Sequence, residues 1–391
     1  MKQVAAALDF GTSKVVCVVG ELRGYNRFDI QGSGVCEYDG YRQGHWLRPE
    51  NLTDVIHTAV REAEIHSRKR VKEIYVGVPG EYCRVVCSKA SIDIEGRDNK
   101  VTERDVERLL AKTEEIYHPD RYKVVHCTPV YYLTDKNKKI IYPVGVKTTK
   151  LSGFISYVLA DVFFINDVTK RANELGMEVQ TFVSDALAQT LLLVPAEDRD
   201  RTAVLVDVGF YNTQVAIVEG DGIVYLDTIP VGGRHVTSDI AIGMELPFEQ
   251  AELFKRRVQL GIKPNDIASQ TTSVTVGDRT IQAETSFLHT IVDARIEEMC
   301  DSILSVIEDS GYRLSDKSVI YLGGGGIALM RNAQQALSAN FKRPVRIMTP
   351  QAPGLNSPIF AASISVLDYA FQSILEGESG KGKGIFGFLG K

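Results

Sequence analysis

The first eighty residues combine short apolar runs with one amphipathic segment. Residues 3–10, 14–22 and 27–37 are rich in apolar side chains and are separated by short turns, a pattern that predicts three strands joined by hairpins. A helix is predicted next, because apolar residues recur at helical spacing at Val55, Ile56, Ala59, Val60 and Ala63. The apolar run 73–80 then predicts a buried strand. This β-β-β-α-β order indicates a mixed sheet covered by helices.

Residues 83–160 have a different pattern. Apolar and polar positions alternate over 83–95 and 138–161, which predicts strands with one exposed face. Between them an amphipathic helix begins at Thr102, and Asp105 is placed to complete its cap. We therefore expect a small α+β subdomain inserted at this point.

The second half of the chain contains the same kinds of element. Residues 168–194 predict a helix, a strand and a helix, and a second pair of apolar runs follows. Two helices separated near Pro247 are predicted next, followed by a polar hairpin and a long amphipathic helix over 287–312. A buried strand then runs into four glycines, and a last helix is predicted over 357–375.

Length and composition bound the class of protein. At 391 residues the chain is too long for one hydrophobic core, so two or more domains are expected. The net charge of -5 and the lack of a long basic run argue against a nucleic-acid groove, although a local basic patch is compatible with that average. The first twenty residues lack a signal-peptide pattern, and no window of eighteen apolar residues predicts a membrane span.

The six cysteines are scattered along the sequence. Cys83 and Cys87 are the only close pair. On a strand, residues four apart lie about 13 Å from each other, which is too far for a disulfide. Reduced thiols in a cytoplasm are therefore expected.

Two stretches far apart in the chain share one pattern. Residues 6–21 and 204–221 each begin as an apolar strand, reach Asp-x-Gly, turn and resume as a strand. Such a hairpin directs successive backbone N–H groups into one concavity, which suits a phosphate. Asp9 and Asp207 would repel phosphate directly but can position Mg²⁺ through water. Either hairpin alone is equally typical of an ordinary acidic turn.

Two further features add to this pattern. The apolar strand at 319–322 ends in Gly323–Gly326, where side chains are absent and a flat adenine ring could lie on the backbone. Glu252 and Lys255 lie three apart on a predicted helix and hence on one face, within reach of a ribose or an adenine edge. Alone, the first predicts a plain loop and the second a solvated ion pair. The four features together, in this order, are far more specific.

With these four features the chain resembles the actin/Hsp70/sugar-kinase ATPase superfamily, in which duplicated lobes grip one nucleotide. More narrowly, it resembles the FtsA family of bacterial cell-division proteins in the stretches LDFGTSKVVCVVGE, YVGVPGEYCRV, VTERDVERLL, TIPVGGRHVTSDIAIGM and EQAELFKRR. The position of the insertion also matches that family. The resemblance implies an α/β fold with actin-like (ribonuclease H-like) duplicated lobes around a nucleotide cleft, with an FtsA-type inserted α+β subdomain.

The resemblance also implies the site residues. Phosphate would meet Gly11, Thr12, Ser13 and Lys14 in the first hairpin and Gly209, Asn212 and Thr213 in the second. The nucleoside would lie at Gly232, Gly233, Glu252 and Lys255, with Gly323, Gly324 and Gly325 behind the adenine. ATP and Mg are the expected cofactors, with Asp9 and Asp207 holding Mg through water.

The second hairpin departs from the family pattern. FtsA-like proteins usually carry glycines after its Asp-x-Gly, whereas this chain has Phe210, Tyr211 and Asn212. The two aromatic side chains could narrow the phosphate space, or they could point outward and leave the backbone N–H groups free. We expect ATP binding to be retained, with slow or absent hydrolysis, and we assign no catalytic residue.

The last fifteen residues form a linker and a short amphipathic segment. Glycines make the linker flexible, and Ile385, Phe386, Phe388 and Leu389 fall on one side of a helical wheel flanked by lysines. This pattern is typical of an interfacial helix attracted to anionic lipid, and FtsA proteins end in such an anchor. A frayed tail is the alternative.

The expected organisation follows the family. First-lobe core is assigned to 1–82, the inserted subdomain to 83–160, and a return to the first lobe with a hinge to 161–200. Second-lobe core is assigned to 201–233, a small subdomain to 234–300, second-lobe core with a closing helix to 301–376, and the linker and tail to 377–391.

By resemblance, the chain would polymerise head to tail on the cytoplasmic face of the membrane at the division septum. It would tether FtsZ there by receiving the FtsZ C-terminal tail in the small subdomain. Lys255, Arg256 and Arg257 supply a basic stretch for an acidic peptide, or else a solvated helix face. A PilM-like adaptor of a pilus or secretion machine and a small-molecule kinase are the alternatives.

Overall fold

The protein, described from a computed structural model, has two lobes whose central sheets share one topology. The structure describes residues 3–24, 27–95, 98–113, 120–262 and 269–379. Each sheet has five strands in the order 3-2-1-4-5, counted along its own lobe. In each, the first three strands are antiparallel and the last two run parallel to the first. The predicted duplicated actin-like architecture is confirmed.

The first lobe is built on the order β11-β6-β1-β2-β3. Its strands are β1 (Val4–Phe10), β2 (Lys14–Leu22), β3 (Phe28–Glu37), β6 (Glu73–Val78) and β11 (Glu178–Ser184), with the short pair β4 (Tyr41–Arg42) and β5 (His45–Trp46) beside them. One face is covered by α1 (Leu52–Ser67) and α3 (Val162–Glu174). The other is covered by α4 (Asp185–Leu193) and α10 (Ala361–Ser379).

The second lobe is built on the order β14-β13-β12-β17-β18. Its strands are β12 (Ala203–Val208), β13 (Thr213–Glu219), β14 (Gly222–Ile229), β17 (Ile320–Gly323) and β18 (Val345–Ile347). Around this sheet lie α5 (Ala196–Arg199), α6 (Gly233–Gly243), α7 (Phe248–Lys255), the hairpin β15 (Thr271–Val276) and β16 (Arg279–Glu284), α8 (Thr285–Asp309) and α9 (Ala333–Phe341). As predicted, α6 ends before Pro247 and α7 begins after it.

The inserted subdomain is a four-stranded sheet with one helix. It contains β7 (Cys83–Asp93), α2 (Glu103–Ala111), β8 (Tyr122–Thr134), β9 (Lys139–Ile140) and β10 (Lys150–Asp161), in the sheet order β7-β10-β8-β9. The predicted helix cap is present, since Thr102 Oγ1 accepts from the Asp105 N–H and the Asp105 carboxylate accepts from the Thr102 N–H at 2.9 Å. All six cysteines are free, as expected.

The inserted subdomain belongs to the first lobe in sequence but also contacts the second. Lys139 Nζ lies 2.8 Å from the Glu219 carboxylate, and Cys87 Sγ donates to the Val224 carbonyl at 3.5 Å. Ser156 Oγ donates to the Ile223 carbonyl beside them. These contacts fasten the subdomain to β13 and β14.

Residues 358–376 are apolar and long enough to cross a membrane. In the structure they instead pack into the first lobe: Val366, Leu367 and Phe371 are buried against β1 and β2, and the Phe371 ring stacks on Phe28 at 5.1 Å. This helix therefore serves as core, closing the chain back onto the first sheet.

Candidate functional site

The two repeated hairpins have the same backbone geometry. In the first, the Gly11 N–H donates to the Lys14 carbonyl at 2.9 Å, and in the second the Gly209 N–H donates to the Asn212 carbonyl at 2.9 Å. Each turn follows the first strand of its lobe, so the duplicated topology brings the two turns to equivalent edges. The pattern shared by residues 6–21 and 204–221 is thus one structural device used twice.

The tips of the two hairpins meet across the gap between the lobes. The N–H groups of Phe210 and Tyr211 both donate to Thr12 Oγ1, each at 3.1 Å. Two successive N–H groups that converge on one oxygen form the concavity that binds anions. The second hairpin therefore keeps its donors directed at the first hairpin despite its aromatic residues.

The rings of Phe210 and Tyr211 pack around an arginine instead. The Arg234 guanidinium lies 5.8, 5.1 and 5.2 Å from the ring centroids of Phe210, Tyr211 and Phe248, and Nη1 donates to the Tyr211 hydroxyl at 2.9 Å. Such cation–π contacts are worth roughly 0.5–2 kcal/mol each. The side chains that depart from the family pattern thus join the hairpin to the start of α6.

Three carboxyl groups lie beside the hairpins, of which two are buried and one is partly buried. Asp9 and Asp207 are the next-to-last residues of β1 and β12, and Asp185 opens α4. Asp9 and Asp185 are 6% and 5% exposed, and Asp207 is partly buried. Burial, followed by repulsion from Asp207, raises the pKa of Asp9 from 3.8 to about 7. Burial, followed by Asp9 and Asp207, raises the pKa of Asp185 well above its usual value. The charge of Asp207 acts on both Asp9 and Asp185, so the acids of the two lobes lie close to one another.

The surroundings of these acids suit a cation. Asp207 accepts a hydrogen bond from Gln189 Nε2 at 2.9 Å, but Asp185 Oδ1 and Gln189 Oε1 have no hydrogen-bond partner within the described part of the chain. Acceptor oxygens left unpaired beside repelling carboxylates are stabilised by a positive charge. Across the described residues, no three His, Cys, Asp or Glu side chains are placed to bind one metal directly. A Mg²⁺ ion held mainly through water and phosphate fits this donor set.

The predicted glycines form close backbone contacts around the second hairpin. The Gly233 N–H donates to the Gly209 carbonyl at 2.9 Å, and the Gly326 N–H donates to the Val208 carbonyl at 2.8 Å. A Cβ on Gly233 would lie 2.4 Å from the Gly326 Cα, and a Cβ on Gly232 would lie 2.7 Å from the Gly209 carbonyl oxygen. The segments 232–233 and 323–326 therefore meet at the second hairpin, and their placement at a nucleoside stays a prediction.

Glu252 and Lys255 lie against the start of α6. Lys255 is 5% exposed and its Nζ donates to the Gly233 carbonyl at 2.9 Å, while Glu252 accepts from Thr237 Oγ1 at 2.6 Å. Burial lowers the pKa of Lys255, and the Glu252 charge opposes that effect. The prediction of a solvated ion pair is therefore wrong for Lys255. The predicted basic stretch is also wrong in part, because Lys255 is buried and only Arg256 and Arg257 are exposed.

The remaining predicted residues have varied positions. Lys14 Nζ lies 5.3 Å from the Phe360 ring, and Ser13 accepts a backbone bond from Tyr38 through its carbonyl. Thr213 is buried, and its hydroxyl donates to the Val231 carbonyl at 2.7 Å. Gly325 is exposed, and a Cβ there would lie 2.7 Å from the Ile359 side chain.

Glu81 was not singled out from the sequence, yet it links the lobes. Its carboxylate accepts from the Gly44 N–H and from Asn212 Nδ2, both at 2.7 Å. Gly44 belongs to the first lobe and Asn212 to the tip of the second hairpin. Glu81 is therefore a second bridge, beside Thr12, between the two sides of the cleft.

Comparison with known proteins assigns the family. The family described as "Cell division protein FtsA" matches residues 204–365, and "SHS2 domain inserted in FTSA" matches residues 80–159. The chain belongs to the FtsA family of cell-division proteins. The second match covers nearly the same residues as the subdomain that the sequence predicted at 83–160.

Curated FtsA relatives match this FtsA-family chain over almost its whole length. The cell division protein FtsA of Pseudomonas aeruginosa (strain PAO1) is 27% identical, over 96% of this chain and 91% of that protein. FtsA of Escherichia coli (strain K12) is 24% identical, over 97% and 93%. The predicted cell-division function, with an actin-like fold, is confirmed at the level of the family.

Solved structures agree on the fold. The PilM-PilN type IV pilus biogenesis complex matches with a TM-score of 0.63 at 16% identity, over 93% of this chain and 97% of that chain. MreB 5 of Spiroplasma citri bound to AMPPNP matches with a TM-score of 0.53 at 14% identity, over 96% and 99%. At these identities the likeness to PilM shows the fold alone, whereas the sequence matches favour the FtsA family over a PilM-like adaptor.

The predicted membrane residues Ile385, Phe386, Phe388 and Leu389 lie outside the described residues. The membrane role of the tail therefore stays a prediction.

Proposed function

We propose that this FtsA-family chain binds Mg·ATP between its lobes. The observation that carries the proposal is the meeting of the hairpins, where two N–H groups of the second hairpin converge on Thr12 Oγ1 of the first. Phosphate oxygens would replace that hydroxyl as acceptor, with Gly11–Lys14 on one side and Gly209–Asn212 on the other. Asp9 and Asp207 would hold Mg²⁺ through water.

The nucleoside would lie on the second lobe. The close-packed glycines at 232–233 and 323–325 leave backbone without side chains, and Glu252 and Lys255 stand against Gly233. Hydrolysis is proposed to be slow. The second hairpin carries Phe210 and Tyr211 where FtsA-like proteins usually carry glycines, and no residue of the site is assigned as a catalytic base.

Asp207→Ala tests the nucleotide site. Removing one of the two facing carboxylates should weaken Mg·ATP binding about tenfold or more, since a charged hydrogen-bonding group is worth roughly 1.5–3 kcal/mol. Isothermal calorimetry with and without Mg²⁺ measures the change. Asp278→Ala, an exposed acid in the β15–β16 turn, is the matched control. Equal affinities for Asp207→Ala and Asp278→Ala would contradict the assignment.

We further propose that the chain tethers FtsZ filaments to the cytoplasmic face of the membrane at the division septum. The four apolar side chains of the tail gain at most roughly 1.5–3 kcal/mol each on burial. Ordering about seven residues opposes this by roughly 1–2 kcal/mol apiece. One copy therefore binds marginally, and head-to-tail self-association would add affinity through effective concentration. The FtsZ tail would be received by the subdomain 234–300, where Arg256 and Arg257 are exposed.

Vesicle recruitment tests the tether. Full-length chain with ATP should carry FtsZ into the pellet with anionic vesicles, whereas a version ending at Ser379 should leave it in the supernatant. FtsZ lacking its C-terminal tail is the control for the partner contact. Equal pelleting of FtsZ by both versions of the chain would refute the tail as the anchor.

A further inference from the structure

A basic concave surface lies on the first lobe, away from the nucleotide cleft. The loop between α1 and β6, residues 68–72, contains Arg68, Lys69, Arg70 and Lys72, and we call it the basic loop. Its residues 68–71, together with His57, Arg61 and Glu64 of α1, line an open cavity of about 390 Å³ that residues 175–177 border on the other side. Four basic side chains and one acidic side chain therefore surround one space large enough for a phosphate headgroup.

Only part of this charge is compensated. Arg61 pairs with Glu64 at 3.1 Å, and Lys69 Nζ pairs with Glu21 at 2.7 Å. Arg68 and Arg70 are exposed and make no ion pair within the ranges that the structure describes. Guanidinium groups bind phosphate oxygens bidentately and are less strongly hydrated than ammonium groups. The free charges are thus of the type that suits a phosphate-bearing surface.

The basic loop lies at the same end of the first sheet as the C-terminus of α10, which is the end where β3 begins. A Cβ on Gly32, in the middle of β3, would lie 2.4 Å from the Ser67 backbone nitrogen, whereas a Cβ on Gly34 would lie 2.0 Å from the Ala59 carbonyl oxygen. Helix α1 therefore runs toward the start of β3. Phe371 stacks on Phe28 at the start of β3, and α10 continues for eight residues, about 12 Å at 1.5 Å per residue, to Ser379. Helices α1 and α10 cover opposite faces of the sheet, but both end near the end of the sheet where β3 begins.

We propose that the basic loop, through Arg68, Arg70 and Lys72, is a second membrane contact that binds the phosphate headgroups of anionic lipids. The proposal rests on the proposed membrane role of residues 385–389. Six peptide steps join Ser379 to Ile385, a reach of about 20 Å at most, so an inserted tail holds this edge of the lobe close to the bilayer. Attraction to anionic lipid acts within a Debye length of about 8 Å at physiological salt.

The charge distribution favours lipid over nucleic acid as the occupant. The whole chain is acidic, with a net charge of -5, so a long polyanion would meet repulsion outside this surface. A membrane held at one edge contacts that edge alone. One apolar anchor binds a bilayer marginally, and a polybasic patch is a recognised second signal for stable attachment.

The test is co-sedimentation of the full-length chain with vesicles of phosphatidylcholine, with and without phosphatidylglycerol. The triple variant Arg68→Gln, Arg70→Gln, Lys72→Gln is compared with Lys136→Gln, Lys138→Gln, Lys147→Gln, which removes the same charge from exposed positions of the inserted subdomain. At roughly fivefold per basic side chain near an anionic surface, the first variant should lose at least about tenfold affinity for phosphatidylglycerol vesicles. The second should bind like the wild type.

The outcomes separate this inference from the proposed tail anchor. If the version ending at Ser379 loses binding while the basic-loop variant binds like the wild type, the tail anchor stands and the basic loop is refuted. Equal losses for both triple variants also refute it. A loss confined to the basic-loop variant and to anionic vesicles, together with a weaker salt dependence, supports it.

Discussion

Asp9→Asn should raise the free energy of unfolding at pH 8, although it removes a residue of the proposed magnesium site. Burial and Asp207 raise the pKa of Asp9 from 3.8 to about 7 in the folded protein. Between these values the folded carboxyl keeps a proton that the unfolded chain has released, so the stability it contributes falls as pH rises and is lost above about pH 7. Asparagine has nearly the same shape but does not titrate.

The measurement is urea unfolding followed by far-UV circular dichroism at pH 5 and pH 8 without Mg²⁺. The stability gap between Asp9→Asn and the wild type should widen by roughly 2–3 kcal/mol from pH 5 to pH 8, at about 1.4 kcal/mol per pH unit. Asp278→Asn, at an exposed position, should show no such change. A gap that is equal at both pH values would mean that Asp9 is already ionised in the folded protein at pH 5.

Added Mg·ATP separates the functional role of Asp9 from its effect on stability. A ligand that binds only the folded state stabilises it by mass action. The wild type should therefore gain stability from Mg·ATP, and Asp9→Asn should gain much less. Equal gains would show that this carboxylate does not contribute to binding.

Gly324→Ala should destabilise the protein by about 3–5 kcal/mol, combining left-handed backbone strain with steric overlap. Gly324 has φ +78°, and a Cβ there would lie 2.2 Å from the Val208 carbonyl oxygen and 2.4 Å from the Asp207 carboxylate. Neither neighbour can move freely, because Val208 is in a central strand and Asp207 is fixed by Gln189.

Gly354→Ala is the matched control for this prediction. Gly354 has φ +80° but no atom within 4 Å of an added Cβ, so only the backbone strain remains, about 1–2 kcal/mol. Thermal and urea unfolding of both variants isolate the overlap at Gly324. If the two variants lose similar amounts of unfolding free energy, the backbone where β17 meets the second hairpin can shift to accommodate the added Cβ.

Much of the fold could be predicted from local patterns. The apolar runs around Asp9 and Asp207 each predicted a strand, a turn and a strand, and both hairpins are present because a two-strand unit depends on residues close in sequence. The cap at Thr102 and the break at Pro247 are also local signals. By contrast, β8 was not predicted, because it contains Pro129 and proline is unusual inside a strand. Pro129 is accommodated at a register shift opposite Ile155, which depends on the neighbouring strand β10 and not on the local sequence.

The site was predictable to a lesser degree. Its glycines and facing acids carry a recognisable pattern, but Asp185, Gln189 and Glu81 are ordinary polar residues in sequence. Their importance comes from burial and from partners on the other lobe, which no local pattern encodes. The burial of Lys255 was missed for the same reason, since a Glu and a Lys three apart on a helix are usually solvated.

The inserted subdomain has a mechanical consequence. It grips β13 and β14 through Lys139, Cys87 and Ser156, while Thr12 and Glu81 connect the lobes at the hairpins. A body fastened at two separate places cannot swing open about one pivot without breaking one set of contacts. Such a subunit would remain nearly rigid within a polymer. Bending of the polymer would therefore arise at the interfaces between subunits.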